Sequence, residues 1–329
     1  MNVLIAFNPK GFADDAIAVL KKAGHRVTTL KKSHNIDRKE LLKAVKGRDA
    51  ILTLLSNKIN GEVMDAAGKN LKIIANYAVG FDNVDLKAAK ERGIIVTNTP
   101  SDVVNDSVAE HTFALAIALA HRVAEAHAYT THGNYKGWTP DLLLGTNLKG
   151  KTLGLIGAGR IATATAEKGA KGFGMKVIYT DLKKNAYIEK ECKAKKVTME
   201  QLLKQADVVS LHVPLLPSTR HLISTKQFAL MKKTAFIINT ARGPVIDEKA
   251  LLKALKAKKI AGAGIDVFEC EPAIDCDLTD NLELRAFQNA ILTPHIASAT
   301  VEARQDMARI AAENIIAVLG GKKALTPAK

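Results

Sequence analysis

The chain has 329 residues, of which 47% are hydrophobic and 25% charged, proportions ordinary for a soluble globular protein. This length suggests about two domains. The net charge is +15 at pH 7, but the lysines are spread along the chain and no nucleic-acid-reading motif accompanies them, so we expect no nucleic-acid partner.

Membrane insertion and export are not expected either. No apolar run is long enough to cross a bilayer, so no membrane partner is predicted. The opening segment MNVLIAFNPKG is typical of a first β-strand and lacks the charged head and long apolar centre of a signal peptide. We therefore expect a cytoplasmic protein. Cys192, Cys270 and Cys276 have neither zinc-ligand nor redox-motif spacing, so we expect no metal site and no disulfide.

The N-terminal third of the chain alternates short apolar runs with helical patterns. The runs NVLIAF, RVTTL, AILTLL, KIIANYA and IIVTN predict β-strands. The helical patterns lie between strands, and two of them end at Gly24 and Gly47, which are plausible C-terminal caps. Strands separated by helices of this length predict parallel βαβ units in a doubly wound sheet.

A long helix is predicted over residues 108–133. It is apolar around most of its circumference through Ala120, so we expect it to be buried. A turn-rich stretch follows, and a second βα series begins at Thr152 with strands TLGLIG, KVIYTD, VVSLHV, AFIINTA, IAGAGIDV and AILTPH. The segment EARQDMARIAAENIIAVLGG predicts an amphipathic helix, and the tail KKALTPAK is expected to be frayed.

The turn from Gly157 to Ala162 follows a predicted strand and opens a helix, as a dinucleotide-binding G-x-G-x-x-A turn requires. Gly157 permits the tight turn, Gly159 lets the backbone approach a pyrophosphate, and Ala162 lets the helix pack on the strand. The helix N-terminus then offers free N–H groups to the phosphates. The alternative is a glycine-rich turn in an α/β fold that binds no phosphate.

Asp181 ends the next strand, at about the distance along the chain where a carboxylate binds the ribose 2′-hydroxyl. A carboxylate there repels a 2′-phosphate, so the sequence favours NAD over NADP. Lys183 and Lys184 follow closely and weaken this preference, so NADP stays an alternative.

Several segments together resemble the D-isomer-specific 2-hydroxyacid dehydrogenases, with most similarity to the glyoxylate/hydroxypyruvate reductase branch. They are YAVGFDNVDLKAAKERGIIVTNTP (77–100), LLLGTNLKGKTLGLIGAGRIA (142–162), LHVPLLPSTRHLI (211–223), MKKTAFIINTARGPVIDEKAL (231–251) and ILTPHIASAT (291–300). The resemblance implies two Rossmann-like or flavodoxin-like α/β domains with parallel sheets, and an active site in the cleft between them. It implies a substrate domain of residues 1–101 and 296–329, an inserted NAD-binding domain of residues 102–295, and a homodimer.

The same resemblance assigns the chemistry. His295 in TPHIASAT matches the family's acid/base histidine, whose imidazole is suited to proton transfer near neutral pH. Glu271 in FECEP matches the carboxylate that pairs with this histidine. Arg242 in NTARG matches the substrate arginine, whose planar fork binds carboxylate and carbonyl oxygens. Val79 and Gly80 match the loop whose N–H groups hold the substrate carboxylate.

Further residues match the family's cofactor contacts. Asp266 in GIDVF is expected near the nicotinamide amide, and Ser298 near the nicotinamide end. Trp138 and the leucines 142–144 are expected to reach a substrate pocket or an interface. The full expected set of cofactor contacts is Gly157, Gly159, Arg160, Ile161, Asp181, His212, Val213, Pro214, Thr240, Ala241, Arg242, Asp266, His295 and Ser298.

The chain departs from the family pattern in a few places. Ala162 replaces the more usual third glycine, and Ala297 replaces a glycine often found after the catalytic histidine. The segment between Glu271 and His295 is longer than expected and acidic, so residues 272–289 are expected to form an enlarged surface loop near the cleft. Neither of the two alanine replacements removes a chemical group.

Function stays open between alternatives on sequence alone. The substrate is expected to be a small anionic 2-keto or 2-hydroxy acid, most simply glyoxylate or hydroxypyruvate, with D-lactate dehydrogenase as the alternative. Formate and phosphite dehydrogenases share the architecture, and 3-phosphoglycerate dehydrogenases usually carry an extra regulatory domain. A non-catalytic NAD-sensing regulator, similar to the corepressors of this fold, is the alternative from another class, because fold does not determine function.

Overall fold

The structure is a computed structural model that describes residues 1–11, 13–32, 36–271 and 282–328, without the side chain of residue 282. The described strands are β1 (Asn2–Ile5), β2 (Arg26–Thr29), β3 (Ala50–Leu54), β4 (Ile73–Tyr77), β5 (Ile95–Thr97), β6 (Thr152–Ile156), β7 (Lys176–Thr180), β8 (Lys195–Lys196), β9 (Val208–Leu211), β10 (Phe236–Asn239), β11 (Gly262–Ile265) and β12 (Ala290–Leu292).

The described helices occupy the segments between these strands. They are α1 (Asp14–Lys22), α2 (Arg38–Ala44), α3 (Gly61–Ala67), α4 (Leu86–Glu91), α5 (Asp102–Ala120), α6 (Val123–Thr131), α7 (Arg160–Glu167), α8 (Ala186–Glu191), α9 (Met199–Gln205), α10 (Thr225–Leu230), α11 (Glu248–Lys256), α12 (Leu282–Arg285) and α13 (Val301–Leu319). A π-helical turn, Lys168–Gly172, continues α7, and a 3₁₀ turn, Gly243–Val245, follows β10. The described residues form two compact units, one of residues 1–104 and 299–328 and the other of 105–271 and 282–298.

The first unit is built on a five-stranded parallel sheet in the order β2-β1-β3-β4-β5. Strands β3 and β4 are almost wholly buried, because a parallel sheet carries helices on both faces and needs apolar side chains on both. Short polar side chains begin the helices: Asn60 accepts a hydrogen bond from the N–H of Val63, and Asp85 from that of Ala88. The unit is therefore a doubly wound sheet of flavodoxin-like order.

The second unit is built on a seven-stranded parallel sheet in the order β12-β11-β10-β9-β6-β7-β8. The chain runs outward from β6 in one direction and then returns to β9 on the other side of β6. Ligands of such sheets bind at this reversal, beyond the carboxyl ends of the strands. Strand β8 was not predicted, since it consists of two exposed lysines at the edge of the sheet. The predicted α/β fold with two parallel sheets is confirmed.

The single long helix predicted over residues 108–133 is wrong: the structure has two helices, α5 and α6. Arg122 adopts a left-handed backbone conformation with φ of 55° and begins α6. Its guanidinium bonds to Glu125 in the first turn of α6. Helix α5 is largely buried as expected, whereas α6 buries none of its residues.

The expectation of a frayed tail is also wrong. Asn314 in α13 is fully buried, and its Oδ1 accepts hydrogen bonds from the N–H groups of Leu325 and Thr326 at 2.9 and 3.1 Å. The N–H of Ala328 donates to the carbonyl of Val96 in β5 at 2.9 Å. No helix in the described part of the chain is both long and apolar enough to cross a membrane.

Candidate active site

The glycine turn lies at the reversal point of the second sheet, between β6 and α7. Gly157 has φ of 95°, and a Cβ added there would lie 2.7 Å from the carbonyl oxygen of His212 at the end of β9. A Cβ on Gly159, which precedes the first residue of α7, would meet nothing within 4 Å. Ala162 is fully buried. Gly157 therefore packs closely on the end of β9, whereas the space beside Gly159 at the N-terminus of α7 is free. This arrangement fits a pyrophosphate at the helix N-terminus.

Asp181 follows β7 and is tied to the glycine turn. Its Oδ2 accepts a hydrogen bond from the N–H of Ala158 at 2.7 Å, and its Oδ1 accepts one from the N–H of Lys183 at 3.0 Å. Asn185 donates to the carbonyl of Ala158 at 2.9 Å. These bonds hold a carboxylate beside the turn, where the ribose of a dinucleotide lies in such folds. The side chains of Lys183 and Lys184 are exposed.

His212 follows β9, across the turn from Gly157. Its Nε2 lies 2.9 Å from the hydroxyl of Ser210. Desolvation lowers the pKa of His212 to about 3, so its ring is neutral at neutral pH. Val213 is partly exposed and Pro214 exposed.

Arg242 lies in a turn directly after β10 that its neighbours hold rigidly. The side chain of Asn239 donates to the carbonyl of Arg242 at 2.9 Å and accepts from the N–H of Ala241 at 3.1 Å. A Cβ on Gly243 would lie 1.8 Å from the carbonyl oxygen of Phe268, so only glycine fits there. Arg242 is partly exposed, and its Nη1 donates to the carbonyl of Ala241 at 2.8 Å.

His295 and Glu271 form a close pair beyond β12 and β11, which are neighbouring strands. The Nδ1 of His295 lies 2.5 Å from Oε2 of Glu271. A carboxylate only accepts, so Nδ1–H is the donor. The other oxygen of Glu271 accepts from the N–H of Phe268 at 3.2 Å. Both side chains are partly exposed, at 30% for His295 and 23% for Glu271.

Asp266, directly after β11, organises the segment that carries His295. Its carboxylate accepts from the hydroxyl of Thr293 at 2.6 Å and from the N–H groups of Ile296 and Ala297 at 2.8 and 2.9 Å. Its carbonyl accepts from the N–H of His295 at 2.8 Å, and His295 has φ of 55°. Asp266 is fully buried, so this network fixes a left-handed backbone at the proposed acid/base residue.

The hydrogen bonds around Asp266 also determine its protonation. Burial pushes the pKa of Asp266 upward, but hydrogen bonds from His111, Thr293 and two backbone N–H groups outweigh it, and the pKa lies below its ordinary value. The Nε2 of His111 in α5 lies 3.4 Å from Oδ1 of Asp266 and 3.0 Å from the hydroxyl of Thr293. The expected contact of Asp266 with the nicotinamide amide stays a prediction.

The predicted carboxylate loop belongs to the first unit and follows β4. The carbonyl of Val79 accepts from the side chain of Asn98 at 2.7 Å, and that of Gly80 from the side chain of Asn76 at 2.9 Å. In the described part of the chain, the N–H groups of Val79 and Gly80 donate to no protein acceptor. Both residues are partly exposed, so two backbone donors are available to an anion.

The remaining predicted residues have simpler surroundings. Thr240 is nearly buried, with its hydroxyl 3.2 Å from that of Thr112. Ser298 is partly exposed. Trp138 is 79% exposed in the single chain and Leu144 67% exposed. Residues 272–281 of the expected acidic loop, including Cys276, lie outside the described residues.

Three residues that support this site were not predicted from the sequence. Asn239 bonds to the carbonyl of Arg242, a neighbour in the same turn. His111 and Thr293 contact Asp266 from distant parts of the chain, so no local sequence pattern reveals these contacts. Gly243 had one signal: a glycine directly after the proposed substrate arginine marks a close backbone approach.

Comparison with known proteins places this site in a family. The profile of the D-isomer specific 2-hydroxyacid dehydrogenase NAD binding domain matches residues 113–297. The glyoxylate reductase of Thermofilum pendens is 47% identical over 311 residues, covering 94% of this chain and 89% of that enzyme. The crystal structure of the TT0316 protein from Thermus thermophilus matches with a TM-score of 0.90 at 41% identity, with both chains covered in full.

One relative of known structure was solved with a cofactor and a hydroxy acid bound. The D-lactate dehydrogenase of Aquifex aeolicus, complexed with NAD and lactic acid, matches with a TM-score of 0.84 at 32% identity, covering 97% of this chain and 96% of that one. The glycine turn and Asp181 suit the same cofactor. The chain therefore belongs to the D-isomer-specific 2-hydroxyacid dehydrogenases and is an NAD-dependent oxidoreductase that transfers a hydride between nicotinamide and a small 2-keto or 2-hydroxy acid.

Proposed function

We propose that this enzyme reduces glyoxylate and hydroxypyruvate with NADH, using Arg242, Glu271 and His295. The observation that carries the proposal is the 2.5 Å contact between His295 and Glu271, in a chain 47% identical to a protein named glyoxylate reductase. Bound NADH supplies the hydride for this reaction. The protein has to anchor the acid, polarise its carbonyl and deliver a proton.

His295 is the proton donor in this proposal. Its Nδ1 is engaged with Glu271, which leaves Nε2 to donate a proton to the carbonyl oxygen as that oxygen gains charge. Glu271 holds the ring in one orientation through its bond with Nδ1. In the oxidative direction, Nε2 accepts the hydroxyl proton.

Arg242 and the backbone of Val79 and Gly80 bind the substrate in this proposal. The guanidinium offers a planar fork to the carboxylate and carbonyl oxygens. The two N–H groups of the 79–80 loop add donors for the carboxylate. Correct orientation of a bound acid contributes a large part of catalysis, up to about 7–11 kcal/mol in well-aligned model systems.

In this proposal, separate groups of residues would hold the pyrophosphate, the ribose, the adenosine and the nicotinamide of NAD. Gly157, Gly159 and the N-terminus of α7, with Arg160 and Ile161, would hold the pyrophosphate, and Asp181 would bind the ribose hydroxyls. The segment 212–214 would line the adenosine part. Thr240, Ala241, Asp266 and Ser298 would lie towards the nicotinamide. A carboxylate at residue 181 disfavours a 2′-phosphate, which supports NAD over NADP.

A homodimer in the cytoplasm completes the proposal. Helix α6 buries no side chain, and the segment from Val123 to Leu144 exposes Val123, Tyr135, Trp138 and Leu144 by half or more. Large exposed apolar side chains gathered in one segment are typical of a surface that another protein covers. A second copy of this chain is the proposed partner.

The test is turnover of purified enzyme with a panel of keto acids. NADH loss is followed with glyoxylate, hydroxypyruvate, pyruvate, phenylpyruvate and oxaloacetate, with NADPH in parallel. We expect the highest kcat/KM with glyoxylate or hydroxypyruvate. A higher kcat/KM with pyruvate would instead support D-lactate dehydrogenase, the alternative that solved relatives such as the Aquifex aeolicus enzyme represent.

A further inference from the structure

The carboxylate loop of the first unit is held by a residue of the neighbouring strand. Val79 and Gly80 follow β4, and Asn98 follows β5, which pairs with β4 in parallel. Parallel neighbours place their carboxyl ends at the same edge of a sheet. The side chain of Asn98 donates to the carbonyl of Val79 at 2.7 Å. The orientation of the Val79–Gly80 peptide therefore depends on where Asn98 is held.

The C-terminal tail, residues 325–328, is bound along β5, the edge strand of this sheet. Thr97 and Pro327 form an antiparallel bridge. The N–H of Ala328 donates to the carbonyl of Val96 at 2.9 Å, and the N–H of Asn98 donates to the carbonyl of Thr326 at 3.2 Å. The tail thus continues the sheet beyond β5 and fixes the backbone of Asn98.

The hydroxyl of Thr326 joins the tail, Asn98 and helix α13. It donates to the carbonyl of Asn98 at 2.6 Å and accepts from the Nδ2 of Asn314 at 2.9 Å. Asn314 is fully buried, and its Oδ1 accepts from two N–H groups of the tail. Thr326 therefore bonds to Asn98 through both its carbonyl and its hydroxyl, and a buried amide orients that hydroxyl.

We infer that the C-terminal tail is a positioning element for substrate binding: Thr326 holds Asn98, and Asn98 holds the loop whose N–H groups bind the substrate carboxylate. This inference rests on the proposed role of Val79 and Gly80. Thr326 touches no substrate in this account. It acts through Asn98, whose hydrogen bond to the carbonyl of Val79 orients the peptide that carries the N–H of Gly80.

The consequence is a selective effect on the binding of the acid. Backbone N–H groups strengthen the binding of a carboxylate only when they point at its oxygens. Loss of the Thr326 hydroxyl removes one neutral hydrogen bond to Asn98 and loosens the loop, and we expect KM for glyoxylate to rise about three- to tenfold. The affinity for NADH and kcat should change less than about twofold, because the second unit is untouched.

The experiment compares variants of the 329-residue chain that are changed at one of two neighbouring tail positions. Thr326→Val removes the hydroxyl and keeps the shape of the side chain. Thr326→Ser keeps the hydroxyl and removes the methyl group. Leu325→Ala is the matched control, since that side chain is 59% exposed and only its backbone joins the network. Each variant is measured for KM and kcat with glyoxylate, the inhibition constant of oxamate, NADH affinity by fluorescence and Tm.

Hydrogen–deuterium exchange of two hydrogen-bonded amides beside the loop separates failure of this inference from failure of the proposed function: the N–H of Asn98 donates to the carbonyl of Thr326, and the N–H of Thr99 donates to the carbonyl of Ala78. We expect exchange of these amides to be faster in Thr326→Val and to match wild type in Thr326→Ser and in Leu325→Ala. KM for glyoxylate should likewise rise in Thr326→Val and stay at the wild-type value in the other two variants. Unchanged exchange and unchanged KM in Thr326→Val would overturn the inference and leave the reductase proposal intact. Faster exchange in Thr326→Val, together with no keto-acid turnover by wild type, would support the hold of Thr326 on the loop and overturn the proposed function.

Discussion

The ring of His295 donates through Nδ1 to Oε2 of Glu271 at 2.5 Å, although 24 positions separate the two residues in the chain. The contact arises because β11 and β12 are neighbouring parallel strands, so the segments after them emerge at one edge of the sheet. An oriented histidine–carboxylate pair of this kind can act as a general acid in one direction and a general base in the other.

Removal of the charge at Glu271 tests this pair. We expect Glu271→Gln to lower kcat for glyoxylate by about 100-fold, because a neutral amide no longer orients the ring through a charge-assisted hydrogen bond with Nδ1–H, while NADH affinity stays within about twofold. Glu283→Gln is the matched control, an exposed glutamate of α12. Steady-state kinetics and NADH titration measure both effects. Wild-type kcat in Glu271→Gln would contradict the pairing.

Substitution of Arg242 tests substrate anchoring. Arg242→Lys keeps the charge but loses the planar fork, so we expect kcat/KM to fall by about 100-fold or more. Arg285→Lys, at an exposed position of α12, should behave as wild type. The oxamate inhibition constant should rise only in the Arg242 variant. Equal kinetics in the two variants would mean that residue 242 does not bind the acid.

Cofactor choice is expected to follow Asp181. Asp181→Ala removes the carboxylate that repels a 2′-phosphate and leaves Lys183 and Lys184 nearby, so the NADPH-to-NADH ratio of kcat/KM should rise by about 10- to 100-fold. Asp141→Ala, in the exposed segment before β6, is the control. A wild-type enzyme that already prefers NADPH would refute this interpretation of Asp181.

Gly243 is expected to tolerate no side chain. A Cβ would lie 1.8 Å from the carbonyl of Phe268, so Gly243→Ala should lower the free energy of unfolding by about 1–3 kcal/mol and displace Arg242. At Gly172 a Cβ would meet nothing within 4 Å, and Gly172→Ala should leave stability and kcat unchanged. Chemical denaturation and kinetics of both variants check this, and equal stability would contradict the geometry.

His212 predicts a pH dependence of stability. Desolvation lowers the pKa of His212 from 6.5 to about 3, so the unfolded chain binds a proton at this residue between these values and the folded chain does not. Stability from this group is present above about pH 6.5 and is lost as pH falls towards 3. The free energy of unfolding of wild type should therefore fall more steeply over this interval than that of His212→Gln. Parallel curves would show that the ring is solvated in the folded protein.

The sequence alone predicted those features that local chemistry determines. The turn at Gly157 was predictable because its φ of 95° and its approach to the His212 carbonyl require glycine. Most strands were predictable because strands buried on both faces are continuous apolar runs, such as residues 236–238 of β10. The pairing of Glu271 with His295 came from the family resemblance, not from spacing.

Other features depend on partners far along the chain. His111 reaches Thr293 across 182 positions, and Thr326 reaches Asn98 across 228, so no local pattern could indicate either contact. The helix break at Arg122 depends on a left-handed backbone that a non-glycine residue rarely adopts. The tail was expected to be frayed because its own residues give no sign of the bonds that hold it. Those bonds are made by the buried side chain of Asn314 in α13.

Turnover and NADH affinity, measured on the same preparations of wild type and His295→Asn, test whether His295 transfers the proton in a keto-acid reductase. We expect wild type to oxidise NADH with glyoxylate, and His295→Asn to bind NADH with unchanged affinity but to lose about 100-fold or more in kcat. A wild-type protein that binds NADH but turns over no keto acid, or a His295→Asn variant with wild-type kcat, would contradict this role.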